Sequence, residues 1–139
     1  MPVNKFCFFI CKSIYFGIIR RMKRKTIREY KDFLTSPDDL WARTRYFILK
    51  TKLAKYPKDP RYGIIAPKRV FKAAVDRNRA KRLLRDWICH NEKHMLDEFD
   101  YIFIIGKDIL GATRDEGRKA TRRAFRRIIK NHKTNGCTK

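Results

Sequence analysis

Nine consecutive residues, Arg77-Asn78-Arg79-Ala80-Lys81-Arg82-Leu83-Leu84-Arg85, hold five cations and no acid. On a helix advancing about 100° per residue, Asn78, Lys81, Arg82 and Arg85 share one stripe roughly 100° wide. Ala80, Leu83, Leu84, Trp87 and Ile88 fall on nearly the opposite side, so one face is buried and a donor-rich face meets solvent. Arginine forks grip phosphate oxygens bidentately, lysine adds a mobile point charge, and an asparagine amide donates to a base edge or a sugar hydroxyl. Arg77 borders this stripe, and Arg79 points away from it, to another strand of the ligand or into the fold. An ordinary solvated face mixes Glu with Lys, whereas unrelieved like charges at helical spacing repel one another until a polyanion neutralises them. Phosphate binding is the chemistry this segment is suited to. A second basic stripe, Lys119, Arg122, Arg123, Arg126 and Lys130, is either an auxiliary contact to a nucleic-acid backbone or a solubilising face.

Nothing comparable points to catalysis by side chains. No Ser-His-Asp, Cys-His or paired-carboxylate arrangement stands out, and Asp97, Glu98 and Asp100 cluster where a helix gives way to a strand, a place for structural or solvent-facing roles. His90 and His94 are four apart, but Asn91 follows His90 where a metalloprotease helix carries Glu. Cys7, Cys11, Cys89 and Cys137 form no Cys-x-x-Cys pair, match no zinc spacing, and suit a reducing cytosol. The expectation is a protein with no catalytic residue and no metal site of its own.

The elements that must position the basic face belong to a small chain. Its 139 residues carry 36 Lys+Arg against 14 Asp+Glu, a net charge of +22, with enough aromatic and aliphatic residues for one core. Such a chain repels itself unless it sits against a polyanion, nucleic acid before an anionic membrane. Residues 27–35 read as a short helix stopped by Ser36-Pro37. Residues 46–53 (YFILKTKL) and 62–66 read as strands separated by a proline-bearing turn. Residues 77–95 have helical periodicity, and 101–105 (YIFII) are apolar throughout, as in a central strand covered on both sides. Residues 114–130 form a second amphipathic helix burying Ala124, Phe125, Ile128 and Ile129. This order predicts one layered structure of helices packed on a small sheet.

The apolar stretch 6–19 is interrupted by Lys12 and Ser13, is shorter than a membrane span, and leads into a basic cluster rather than a cleavage site. Residues 1–22 are therefore expected to be an extension, disordered or upstream of a true start near Met22. Residues 23–131 are expected to form the folded domain and 132–139 a flexible basic tail.

Residues 63–69 (GIIAPKR), leading into 73–86 (AAVDRNRAKRLLRD), resemble the protein subunit of bacterial ribonuclease P, whose hallmark is a glycine-containing strand ending in two cations and then an Arg-Asn-Arg-x-x-Lys-Arg-like helix. Residues 100–105 resemble that family's last strand, and 27–33 and 46–49 its first helix and an early strand, so the resemblance covers about 27–129. It implies an α+β, single-domain α/β sandwich with a small four-stranded sheet and a left-handed βαβ crossover like that of the second domain of ribosomal protein S5, an exception to the usual handedness. It implies cytoplasmic tRNA processing without a membrane, one protein with one catalytic RNA. Mg²⁺ bound mainly by the RNA would activate the water that removes the 5′ leader of precursor tRNA. Lys68, Arg69, Arg77, Asn78, Arg79, Lys81, Arg82 and Arg85 would then face the catalytic RNA. A cleft between the sheet and the first helix would hold the single-stranded leader against aromatic side chains.

Phe33 matches one cleft aromatic. Pro37 stands where a second Phe is common, Lys50 where an aromatic commonly ends the strand motif, and the segment between Lys68 and Arg77 is one residue longer than in many relatives. Tyr46 or Phe47 is the candidate substitute. Strand alternation puts Tyr46, Ile48 and Lys50 on one face and Phe47, Leu49 and Thr51 on the other, without saying which face is core. The competing readings are a structural, ribosomal-type RNA binder and a protein-only nuclease. The first lacks any role in cleavage, and the second needs a carboxylate cluster that the few acids here do not form.

Overall fold

The computed structural model describes residues 24–136; the expectation for residues 1–22 lies outside them. Five strands form one mixed sheet: β1 (Lys25–Thr26), β2 (Leu40–Arg43), β3 (Phe47–Leu53), β4 (Arg61–Ile65) and β5 (Phe99–Ile105). Two α-helices follow β4 and β5 respectively, α1 (Ala74–Asn91) and α2 (Arg114–Gly136). The strand order is β1-β4-β5-β3-β2; β4 runs parallel to β5 and to β1, while β3 is antiparallel to β5 and β2. The β4–α1–β5 unit is thus a parallel crossover, and β5 is central, as its unbroken apolar run suggested.

The α+β class holds, but the sheet has five strands where four were expected. The two strands that the sequence did not mark are β1, which pairs remotely, Lys25 against Arg61, and β2, which forms a hairpin with β3, Trp41 against Lys50. The helix expected over 27–35 is a single 3-10 turn at Tyr30–Phe33, because Glu29 and Leu34 on either side are extended. The last helix continues to Gly136, so residues 132–136 are not the expected flexible tail. No breaker interrupts it, and the His132 ring meets Phe99 edge-on at 4.9 Å.

Alternation along the paired strands separates two faces. Phe47, Leu49 and Thr51 of β3 pair with Ile105, Phe103 and Tyr101 of β5, and all are buried beneath the helices. Ala80, Leu84, Trp87 and Ile88 of α1 and Ala124, Phe125 and Ile128 of α2 complete that core. Leu83 and Ile129 sit half-buried at its margin. The other face carries Trp41, Arg43, Ile48, Lys50, Ile65, Ile102 and Ile104, and no α-helix covers it among the described residues. The segment leading through the 3-10 turn lies over part of it.

The helices run side by side in the same direction. Asp86 accepts from Arg114 and Arg118, Asn91 donates to the Arg118 carbonyl, and farther along, Arg122 and Arg126 are close enough to His94 to help hold its pKa below the usual value, burial being the main cause. Contact is closest at Gly117. A methyl added there would sit 1.9 Å from Cε2 of the buried Trp87, so only glycine admits this approach.

Candidate nucleic-acid interface

The helix carrying the basic motif starts earlier than its periodicity suggested, at Ala74, so Arg77 lies one turn inside it. Asn78, Arg79, Arg82 and Arg85 are exposed and Lys81 is half-buried; none is ion-paired within the described residues. Arg77 differs. Its guanidinium turns back and donates to the carbonyls of Phe71 and Lys72 at 2.9 and 3.0 Å, bracing the loop that enters the helix. Lys68 and Arg69 are exposed on that loop, which joins β4 to α1. The motif thus resolves into an exposed phosphate-facing set and one residue that holds the loop. Asp86, the next acid after the motif, is drawn away from it by Arg114 and Arg118 at 3.3 and 3.2 Å.

The open sheet face forms a second surface. Phe33 lies across it at Gly63, where an added Cβ would come within 2.6 Å of the Phe33 ring. The absence of a side chain at Gly63 is what lets the ring rest on the sheet. Three attachments pin this strap. Arg61 donates to Asp32 and to Asp100, each at 2.7 Å. Its Asp32 and Asp100 partners outweigh the effect of burial and keep its pKa raised. Lys55 pairs with Glu29 at 3.4 Å. Lys50 donates to the Phe33 carbonyl at 2.6 Å.

Lys50 was expected to line the cleft where relatives carry an aromatic. It does lie on the open face, but it is 2% exposed and serves as a strut under the strap, with Asp39 3.9 Å from its amine. Burial pulls its pKa down, Asp39 partly restoring it and Lys52 adding to the lowering. Phe47 is not in the cleft: it is 1% exposed under the helices, edge-on to Phe103 at 5.6 Å. Tyr46 is not there either. It precedes the strand in a turn closed by the Thr44 amide donating to the Phe47 carbonyl at 2.9 Å, and its ring packs edge-on to Trp87 at 5.7 Å.

The aromatic that the open face does offer is Trp41, 42% exposed on β2, with the Lys50 amine 5.5 Å from its ring centroid. Sequence reasoning passed over it because LWAR is too short to show strand alternation. The signal was a lone Trp just past Pro37-Asp38-Asp39. Half-buried Ile48, Ile65 and Ile104 share this face with it. An apolar floor, one exposed indole and nearby cations suit unpaired bases and their backbone.

The carboxylates near these surfaces are taken up by cations, and among the described residues no group of three or more His, Cys, Asp or Glu is placed to hold a metal ion. Asp100 grips Arg61, and Asp97 holds Arg24 at 2.9 Å, the structural roles expected of that cluster. No helix among the described residues is long and apolar enough to cross a membrane.

Residues 20–129 match the family model for ribonuclease P. The chain belongs to the ribonuclease P protein family. A ribonuclease P protein component from Vibrio campbellii is 39% identical over 57 residues, 41% of this chain and 48% of that protein. The chain therefore aligns with about half the length of such relatives. The ribonuclease P protein of Thermotoga maritima superposes with a TM-score of 0.63 at 22% identity, over 76% of this chain and 98% of that one. That of Staphylococcus aureus gives 0.59 at 22% identity, over 75% and 94%. These structural likenesses show that the fold is that of ribonuclease P proteins.

Proposed function

We propose that this chain is the protein subunit of ribonuclease P, binding the catalytic RNA through the α1 face and the 5′ leader of precursor tRNA on the open sheet face. The observation that carries this reading is the unpaired set Asn78, Arg79, Lys81, Arg82 and Arg85 on one helix of a chain whose residues 20–129 match the family. Lys68 and Arg69 extend the set along the preceding loop, and Arg77 keeps that loop in place. On the other side of the sheet, Trp41 gives a leader base a stacking surface, while Phe33 and the strap pinned by Lys50 bound the cleft.

The protein then supplies binding rather than bond cleavage. Mg²⁺ held by the RNA provides the activated water. By neutralising phosphates on both RNAs, the protein raises substrate affinity and eases the crowding of negative charge at the RNA's metal sites. A cytoplasmic setting and a partnership of one RNA with one protein belong to this reading.

Reconstitution with the cognate catalytic RNA at low Mg²⁺, with and without the full chain, is the test. Faster leader removal with the protein supports the reading. An unchanged rate, or cleavage of precursor tRNA by the purified protein without any RNA, overturns it.

A further inference from the structure

The outer face of α2 has no part in the reading above. Lys119, Arg123, Arg126, Lys130 and Lys133 are all exposed, and none pairs with a carboxylate within the described residues. Their steps of three or four residues keep them in one stripe opposite the buried Ala124, Phe125 and Ile128, rising about 21 Å from first to last. From Gly117 to the end of the sequence there is no acid at all. A face kept for solubility intersperses both signs, whereas like charges at this spacing repel.

The position of this stripe says what it meets. Asp86 follows directly after Arg85, the last cation of the α1 stripe, and it is held by Arg114 and Arg118 in the first turns of α2. The two helices therefore run side by side in the same direction on one side of the sheet, with Asp86, about 100° round the helix from Arg85, on the flank of α1 that meets α2. The α2 stripe points away from the sheet, while the leader cleft lies on the sheet's far side. A polyanion on α2 thus lies on the same side of the sheet as one on α1, and away from one in the cleft.

From this geometry we infer that α2 is a second docking face for the phosphate backbone of the catalytic RNA, beside the one on α1. The inference rests on the proposed function, because it needs that RNA as the ligand of α1.

The test is equilibrium binding of the full chain to its catalytic RNA and, separately, to precursor tRNA, each across a salt series. Three variants are compared with the parent: R123Q/R126Q/K130Q on α2, R82Q/R85Q on α1, and their combination. Each phosphate contact contributes about 0.9 unit of log–log slope on a duplex and about 0.7 on a single strand. The α2 variant should lower the slope for the catalytic RNA by about two to three units, additively with the α1 variant, with circular dichroism unchanged. A loss with the α1 variant and none with the α2 variant, or an α2 loss seen only with precursor tRNA, overturns the inference and leaves the proposed function standing. A parent chain that does not bind the catalytic RNA overturns both.

Discussion

Replacing Gly117 by alanine should loosen the joint between the two helices, although the same change inside an isolated helix is stabilising. Alanine gains up to about 1 kcal/mol of helix propensity over glycine. Against that, the new methyl would sit 1.9, 2.1 and 2.3 Å from three ring carbons of Trp87. Carbon atoms are at rest about 3.5–4.0 Å apart, so the helices must part by roughly 1.5–2 Å or the indole must turn. The indole has little room, being fully buried with Tyr46 against it. Overpacking of this kind costs about 1–3 kcal/mol and occasionally more; with no room for the ring, the upper part of that range applies, leaving a net loss of about 1–2 kcal/mol. For a domain of this size that is a fall in Tm of about 4–10 °C. Gly111→Ala is the control, since nothing lies within 4 Å of a Cβ there, and its stability should stay within about 0.5 kcal/mol of the parent. Urea denaturation of both variants decides the matter. A Gly117→Ala protein as stable as the parent would refute the packing argument, and with it the close side-by-side course of α1 and α2.

The remaining predictions concern the cleft, the strap and a helix cap. Trp41→Ala should weaken binding of single-stranded leader by about 1–3 kcal/mol per stacked base while leaving Tm nearly unchanged, as fluorescence titration with a leader oligonucleotide would show. Lys50→Met removes the donor to the Phe33 carbonyl and leaves Asp39, whose side chain is 3% exposed, with the Ser36 amide at 2.8 Å and Lys52 at 3.9 Å as its one remaining cation among the described residues. It should destabilise the fold by about 1.5–3 kcal/mol in urea unfolding. Thr113 and Glu116 form a capping box at the start of α2, the Thr113 amide donating to the Glu116 carboxylate at 3.1 Å and the Glu116 amide to the Thr113 hydroxyl at 3.3 Å. The Thr113 amide, then its hydroxyl, hold the Glu116 pKa below its ordinary value of 4.5. A depressed carboxylate stabilises the fold above the unfolded-state pKa and ceases to do so as pH falls through the folded one. Glu116→Gln should therefore flatten the decline in Tm below about pH 5. Thr113→Ala should cost about 1 kcal/mol at neutral pH.

What the sequence made legible is what its local period encodes. Both helix faces and the central strand were readable because Leu84, Trp87 and Ile88 recur at helical spacing and residues 101–105 are apolar without a break. The basic motif was readable for the same reason. β1 and the strap were not, because each is defined by a partner far along the chain, such as Thr26 against Tyr62; β2 was not, because its four residues are too few to show alternation even though its partner β3 is the next strand. Alternation correctly grouped Phe47 with Leu49 and Thr51. Which group is core was decided by the helices, and Tyr46 escaped the alternation because the strand begins only at Phe47. Lys50 could not be read as a strut, since its acceptor is a backbone carbonyl 17 residues away.

The charge of +22 divides into two populations with different physics. Arg24, Lys50, Lys52, Arg61 and Arg118 are spent on Asp97, Asp39, Asp32, Asp100 and Asp86, fastening the strap and the helix joint to their neighbours. The few acids are thus used as internal ties, and the cations of the α1 motif and of the α2 stripe are left without partners. Salt acts on the unpaired population in two opposing ways. It screens repulsion among exposed like charges, which favours the free fold, and it lowers the gain from releasing counterions on RNA. Raising NaCl from about 0.05 to about 0.2 M should therefore raise the Tm of the free chain while its affinity for RNA falls by orders of magnitude. A Tm that falls with salt in step with RNA affinity would mean that the paired cations dominate stability, and that the exposed stripes are less crowded than their spacing implies.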